Sequence, residues 1–191
     1  VLGAEERKES ALQDERFMWK LLEVDQHLGA AVVGLGSDAR ILIDQARVYA
    51  QSNRLMYDEP IDVEVVAKRV GDIKQLYTQH AGVRPFGVSI IFGGIDKTGN
   101  RLFVTDPSGS IRGWKAIAFG VGRETVEGIL KTDYKEDMDL QSATQLAIKS
   151  LVKAQEARGE KPGVKIAVIP VATKKMETLT DNEIEKYMKS S

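Results

Sequence analysis

The sequence contains no cysteine among its 191 residues, and His27 and His80 are its two histidines. Without cysteine the chain has neither a disulfide framework nor a thiolate metal site, which fits a reducing compartment. Two histidines give no basis for a histidine-rich metal site. An excess of one charge is also lacking, since 27 Lys and Arg face 28 Asp and Glu. Composition therefore gives no electrostatic argument for binding nucleic acid or an anionic membrane.

Long apolar runs are absent as well, and no stretch reaches the length needed to cross a bilayer. The first residues, VLGAEERKES, lack the apolar core of a signal peptide. Hydrophobic residues make up 42% of the chain, an ordinary value for a folded globular protein. Length and composition thus predict a single domain over residues 1–191 with a substantial core.

Apolar periodicity predicts helix pairs that alternate with antiparallel hairpins. Strands are predicted at residues 1–4, 20–24, 28–33, 88–92, 102–104, 114–119, 164–171 and 175–178, and residues 5–19 are predicted to be an exposed excursion. Helix starts are indicated by Ser37, Asp62, Gly122 and Asp139, and by a capping box of Thr180 and Glu183. This order predicts an α+β fold in which two stacked antiparallel sheets carry helix pairs on their outer faces.

The usual chemical motifs are incomplete. Gly34-x-Gly36 and Gly120-x-Gly122 each stand between a strand and a helix, but neither completes a dinucleotide fingerprint or a Walker A sequence. Tight packing at a helix start explains these glycines better. His27, in a hairpin turn, and His80, at a helix end, have no evident carboxylate or serine partner, so solvated or capping roles are predicted. No metal site and no cofactor are predicted.

One stretch is unusually constrained: residues 77–94, YTQHAGVRPFGVSIIFGG, join a long amphipathic helix to a strand buried on both faces. Pro85 fixes its own backbone and favours an extended Arg84, so the helix must end before Arg84. Gly82 and Gly87 permit backbone shapes that other residues resist. A connection this stiff predicts a loop that holds something in place.

The string YTQ-x-x-GVRPFGVS resembles the signature of proteasome α subunits, the non-catalytic ring-forming members of the N-terminal nucleophile hydrolase fold. Ordered matches extend over nearly the whole chain: Glu5-Glu6-Arg7, K-L-x-x-V-D from Lys20 to Asp25, Gly34-Leu35, Asp38-Ala39-Arg40, Leu102-Phe103, DPSG at 106–109 and Ala116-Ile117-Ala118. RPFG and DPSG favour the α class over the catalytic β class. The resemblance implies a four-layer αββα sandwich and an α subunit of the archaeal type in a 20S core particle.

The resemblance also implies site residues and partners. Lys20, with Gly34 and Leu35, would receive the C-terminal carboxylate of an ATPase activator whose tail ends in hydrophobic-Tyr-X, although Gly36-Ser37 departs from the valine-alanine usual there. Arg84 would be an anchor between neighbouring subunits. The other implied partners are further copies in a heptameric ring, proteasome β subunits and unfolded protein substrates in transit, all in the cytoplasm. The residues implied to line the axial channel are Gln79, His80, Ala81, Gly82 and Val83.

His80 stands where the family commonly has tyrosine, which suggests a pH-sensitive ring of imidazoles around the channel. This hypothesis requires that His80→Tyr change substrate passage between about pH 5.5 and 7.5.

Two alternatives remain open at this stage. One is a β-type threonine protease subunit that lacks its N-terminus, because Glu5 and Lys20 match positions that assist a threonine nucleophile there. Val1 is no nucleophile, which argues against it. The other is a free-standing binding protein on the same fold.

The resemblance further implies about forty residues before the position of Val1, holding a Tyr-Asp-Arg gate segment, the first helix and the first strand, and we expect these to be missing.

Overall fold

The computed structural model describes residues 1–6, 12 and 20–189, and within these ranges the chain is an α+β protein. The predicted excursion at residues 5–19 lies largely outside the described residues. The elements follow one another as β1 (Leu2–Glu5), β2 (Leu21–Asp25), β3 (Leu28–Gly34), α1 (Gly36–Tyr57), α2 (Val63–Gln79), β4 (Val88–Asp96), β5 (Gly99–Thr105), β6 (Ile111–Gly113), α3 (Arg123–Asp133), α4 (Leu140–Glu156), β7 (Val164–Val168), β8 (Glu177–Thr178) and α5 (Asp181–Lys189).

The chain divides into two compact units, and the larger comprises residues 22–115 and 169–176. Its sheet has the strand order β2-β3-β4-β5-β6. The β3–β4 ladder is antiparallel and runs from the Leu28–Gly94 pair to the Gly34–Val88 pair. Helices α1 and α2 pack against this sheet and bury their apolar stripes on it. The resulting core includes Leu42, Val66, Val70, Ile90 and Phe92.

The smaller unit, residues 1–21, 116–168 and 177–191, is built around an antiparallel sheet in the order β1-β7-β8. Helix α4 packs on β1 and β7 and also contacts α3 and α5. Ile148, Ile166 and Ile184 are central to its apolar core. Asp139 caps α4 by accepting a 2.7 Å hydrogen bond from the Ser142 backbone N–H. The α+β class, the element order and the two antiparallel sheets with their helices are therefore confirmed.

Several local predictions need correction. No strand forms at residues 114–119, because β5 pairs instead with Ile111–Gly113 just before them. Ser37 is not an N-cap, since α1 begins one residue earlier with Leu35 in the capping position. Asp62 does occupy the N-cap of α2, but its side chain makes no capping bond. Asp96 provides the acceptor instead, 3.1 Å from the Val63 backbone N–H.

The predicted solvated role of His27 is also wrong. His27 is buried at the turn between β2 and β3, and its Nε2 lies 2.7 Å from the Ile61 carbonyl oxygen. A carbonyl can only accept, so Nε2 carries the hydrogen. Its Nδ1 makes no hydrogen bond within the described residues and lies 3.5 Å from the Asp25 carboxylate, which accepts a 2.9 Å bond from Arg54. The one predicted capping box is present, since Thr180 and Glu183 bond to each other's backbone N–H groups at the start of α5.

Candidate functional site

The candidate site is the loop that leaves α2, and its first residues follow directly from how that helix ends. His80 is the C-cap of α2. Its Nδ1 lies 2.8 Å from the Leu76 carbonyl oxygen, so Nδ1–H donates to one of the carbonyls that a helix end leaves unpaired. This confirms the capping role predicted for His80. Gly82 then turns the chain with a φ of 84°, and residues 79–85 are all exposed.

The second half of this loop is fixed to α1 through the carboxylate of Asp38. Arg84 donates two hydrogen bonds to Asp38, from Nη1 to Oδ2 at 2.7 Å and from Nη2 to Oδ1 at 2.8 Å. The backbone N–H of Gly87 donates a third, at 2.8 Å to Asp38 Oδ2. Such a two-pronged contact fixes the direction of the guanidinium as well as its distance. We call these three residues the Arg84–Asp38–Gly87 clamp.

The far end of the loop runs against the end of β3. The backbone N–H of Leu35 donates to the Gly87 carbonyl at 2.9 Å. Gly34 has a φ of 123°, and a Cβ there would collide with that same carbonyl oxygen. A Cβ on Gly87 would lie 2.8 Å from Leu35 Cδ1. The two backbone segments approach closely because neither glycine has a side chain. On the inner side, the rings of Tyr77 and Phe86 meet with centroids 4.7 Å apart.

Electrostatics keep Asp38 ionised at neutral pH. The Arg84 guanidinium and the Gly87 N–H lower the pKa of the Asp38 carboxyl from 3.8 to about 2, although its burial acts in the opposite direction. Asp38 is 5% exposed, whereas the Arg84 side chain is 63% exposed. The clamp is thus a buried carboxylate closed on its outer side by a solvated cation.

This shift predicts an acid-sensitive contribution to stability. Because the folded-state pKa of Asp38 lies below its unfolded value, the contribution is present above about pH 4 and is lost as pH falls toward 2. We expect about 1–2 kcal/mol, less than the full shift implies because solvent screens Arg84. Urea midpoints of the wild type and of Asp38→Asn between pH 6 and 2 test this. The two curves should converge on acidification; a constant gap would contradict it.

Lys20 and Glu5, the other predicted site positions, belong to the smaller unit. The Lys20 amine donates to the Glu5 backbone carbonyl at 2.8 Å. The Glu5 carboxylate is engaged by Arg158, whose Nη2 lies 2.7 Å from Glu5 Oε1. Lys20 therefore reaches the backbone of Glu5 and not its acid group. Among residues 1–6, 12 and 20–189, no cluster of three or more His, Asp or Glu side chains could hold a metal ion.

Comparison with known proteins decides the family. A family model described as proteasome subunit matches residues 1–169. The chain belongs to the proteasome family. It is 44% identical to the proteasome subunit alpha of Methanothermobacter thermautotrophicus over 188 residues, which covers 98% of this chain and 76% of that protein. The corresponding protein of Methanocaldococcus jannaschii is 45% identical over 189 residues, covering 98% of this chain and 72% of the relative.

Pyrococcus horikoshii contributes a further relative, also named proteasome subunit alpha, 41% identical over 98% of this chain and 72% of its own. These relatives make the chain a proteasome α subunit of the archaeal type, as the motifs predicted. In the part of the chain that the structure describes, no helix combines the length and the apolar character that a membrane span requires.

Within this proteasome subunit, the structure brings three of the predicted site residues together: Gly34, Leu35 and Arg84 meet around Gly87. Gln79, His80, Ala81, Gly82 and Val83 form the exposed segment next to them. Sequence reasoning missed Asp38, the residue that joins these parts, although it stood in the Asp38-Ala39-Arg40 motif. Two signals could have indicated this pair: Asp38 follows Gly34 by four residues, and Arg84 stands beside the proline of the loop.

Proposed function

We propose that the chain is a non-catalytic subunit of the α ring of the 20S proteasome. It forms a heptameric ring with copies of itself, stacks on β subunits, and lines the axial channel through which unfolded substrates reach the protease sites in the cytoplasm. The Arg84–Asp38–Gly87 clamp carries this proposal. It holds the base of an exposed loop at a defined position, which a channel lining needs and a solvent-exposed connection does not.

In this proposal residues 79–83 face the channel and Arg84 lies at the contact between subunits. The Arg84 side chain is 63% exposed while it is bonded to Asp38, and the N–H donors that it does not use there can bond to a neighbour. His80 is exposed in the same segment and is the residue that would make the channel pH-sensitive in this proposal.

Lys20 is proposed as the receptor for the terminal carboxylate of an activator tail. Its exposed ammonium group has three N–H donors, and the bond to the Glu5 carbonyl uses one of them. That bond also limits the freedom of a long side chain, which lowers the entropy lost on binding a carboxylate.

The β-type protease alternative is disfavoured by the contacts of the same residues. Acyl transfer by a threonine nucleophile needs a lysine close to the reacting amine and hydroxyl. Here the Lys20 amine is bonded to a backbone carbonyl and the Glu5 carboxylate to Arg158. The subunit is therefore proposed to have no catalytic residue, cofactor or metal of its own.

Activator stimulation of the assembled particle tests the role of Lys20. The full-length protein, assembled with β subunits, is compared as wild type and as Lys20→Ala. We expect the ratio of activator-stimulated to unstimulated degradation of an unfolded protein to fall at least several-fold, because an interfacial charge pair of about 1.5 kcal/mol or more is lost. Lys161→Ala, an exposed lysine in the same unit, is the control and should retain the wild-type ratio.

Two outcomes would contradict the proposal. Unchanged stimulation in Lys20→Ala would remove Lys20 from the activator site. Native mass spectrometry of the full-length protein addresses the ring itself, and a strict monomer that ignores β subunits would support the free-standing binding protein instead.

A further inference from the structure

Lys74 is a lysine buried completely in the core of the larger unit. It lies on the sheet-facing side of α2, and its side chain is fully shielded from solvent. The amine contacts three oxygen atoms: the Val88 carbonyl at 3.0 Å, the Thr105 carbonyl at 3.0 Å and the Thr105 hydroxyl at 2.8 Å. None of these is charged, which is unusual for a group that normally enters a core only with an anionic partner.

The three acceptors lie where the two most distinctive sequence motifs meet. Val88 follows directly on Arg84-Pro85-Phe86-Gly87, and Thr105 directly precedes the turn at 106–109. That turn also touches α2, since a Cβ on Gly71 would lie 2.8 Å from the Gly109 carbonyl oxygen. One amine thus connects α2, the end of the candidate loop and the end of β5.

The hydrogen-bonding geometry suits a neutral amine as well as an ammonium ion. An ammonium ion donates to all three oxygens, and the Thr105 hydroxyl then acts as acceptor. A neutral amine donates to the two carbonyls and accepts from the Thr105 hydroxyl, so every group in the cluster is still satisfied. The hydroxyl can rotate to either role without any movement of the backbone.

We propose that Lys74 is a proton-sensitive brace, which stabilises the junction of α2, Val88 and Thr105 more strongly when its amine is neutral than when it is charged. Burial lowers the pKa of Lys74 from 10.5 to about 7, against the attraction of Asp106. The groups that β4 and β5 direct at the amine are uncharged. Asp106, after β5, is a charged neighbour; burial raises the pKa of its carboxyl, but hydrogen bonds from Ser108 and Ser110 and the attraction of Lys74 outweigh this and lower it.

The direction of the effect follows from proton linkage. Opening of the junction would return Lys74 to water and to an ordinary pKa, so opening binds a proton between about pH 7 and 10.5. Raising the pH across this window must therefore disfavour opening, by up to about tenfold per pH unit. The brace does not depend on the proposed channel.

Hydrogen exchange of the full-length protein at pH 6, 7, 8 and 9, corrected for the intrinsic chemical rate, tests the brace. In the wild type, protection of peptides that cover residues 72–79, 86–90 and 103–107 should rise by about tenfold to a hundredfold between pH 7 and 9. Lys74→Met, which keeps the length of the side chain without a titrating group, should remove this rise. Lys68→Met, an exposed lysine on the same helix, should retain it.

A direct titration keeps the test decisive if Lys74→Met does not fold. In protein labelled with carbon-13 at the lysine ε position, the Lys74 resonance, assigned by its loss in Lys74→Arg, should shift with a midpoint within about one unit of pH 7. A midpoint above about pH 8 would overturn the proposal. So would a rise in protection that is the same in the wild type and in Lys74→Met.

Discussion

Gly34→Ala is expected to destabilise the chain by about 3 kcal/mol, through two separate costs. The first is conformational, because Gly34 has a φ of 123°, a region that residues with a Cβ rarely adopt. The second is steric, because the new Cβ would collide with the Gly87 carbonyl oxygen. That oxygen accepts from the Leu35 N–H and belongs to backbone, so it cannot move aside as a flexible side chain would.

Gly99→Ala separates these two costs. Gly99 has a φ of 109° at the start of β5, but a Cβ there would have no atom within 4 Å. It should therefore show the conformational cost alone, about 1 kcal/mol. Gly36→Ala, at an open position in the first turn of α1, should be neutral or slightly stabilising. Urea unfolding of the three variants measures these differences.

The location of the damage is as informative as its size. In Gly34→Ala, hydrogen exchange should increase first in residues 84–88, because the collision pushes the loop away from β3. If Gly34→Ala and Gly99→Ala cost the same, the close approach of Gly34 to Gly87 contributes nothing to stability.

The elements that the sequence predicts correctly are those whose signals lie close together in the chain. The β4–β5 hairpin was predictable because an apolar run, the short turn at Lys97-Thr98 and a second apolar run all lie within twenty residues. The buried strand after Gly87 was equally predictable, because an apolar run follows Gly87 directly in the sequence. In the structure, β4 is buried along almost its whole length. The start of helix α4 was predictable from Asp139, because its capping bond involves only Ser142, which lies three residues later in the sequence.

The failures concern contacts between distant parts of the chain. Residues 114–119 have a strand-like composition, but a strand also needs a partner with free hydrogen-bonding groups. The edge of β5 is already paired with Ile111–Gly113. His27 lies in a turn, yet the carbonyl of Ile61, 34 residues away, covers it. Lys74 reads as a polar helix position, and nothing nearby in sequence shows that Val88 and Thr105 supply its acceptors.

The candidate site repeats this division. The motifs assigned Gly34 and Leu35 to an activator site with Lys20, residues 79–83 to a channel lining, and Arg84 to a subunit contact. The structure brings Gly34, Leu35 and Arg84 together, a grouping that the motifs did not predict. The Asp38 carboxylate that unites them lies 46 residues before Arg84, and neither residue is unusual where it stands. A carboxylate in the first turn of a helix is ordinarily explained by its favourable interaction with the helix dipole. The sequence therefore offers no reason to expect Asp38 to bind a residue far along the chain.

Asp38→Ala should cost about 2–3 kcal/mol, the second large effect expected in this chain. The substitution removes the two carboxylate oxygens that accept from the Arg84 guanidinium, and with them the acceptor of the Gly87 N–H; the bond from Arg84 Nη1 to the Pro85 carbonyl remains. Arg84 can turn into water, which keeps the cost below that of breaking a fully buried ion pair. The loop should loosen, so exchange in residues 84–88 should increase while the β4–β5 ladder keeps its protection.

Asp44→Ala is the matched control, because Asp44 lies on the same helix and also forms ion pairs with arginines, Arg40 and Arg47. Its side chain is 54% exposed, and such surface pairs are worth less than about 1 kcal/mol. Asp38→Asn, which keeps the volume and one acceptor oxygen, should fall between the two. Equal losses for Asp38→Ala and Asp44→Ala would mean that the clamp is an ordinary surface ion pair, and the rigid loop base proposed for the channel would lose its support.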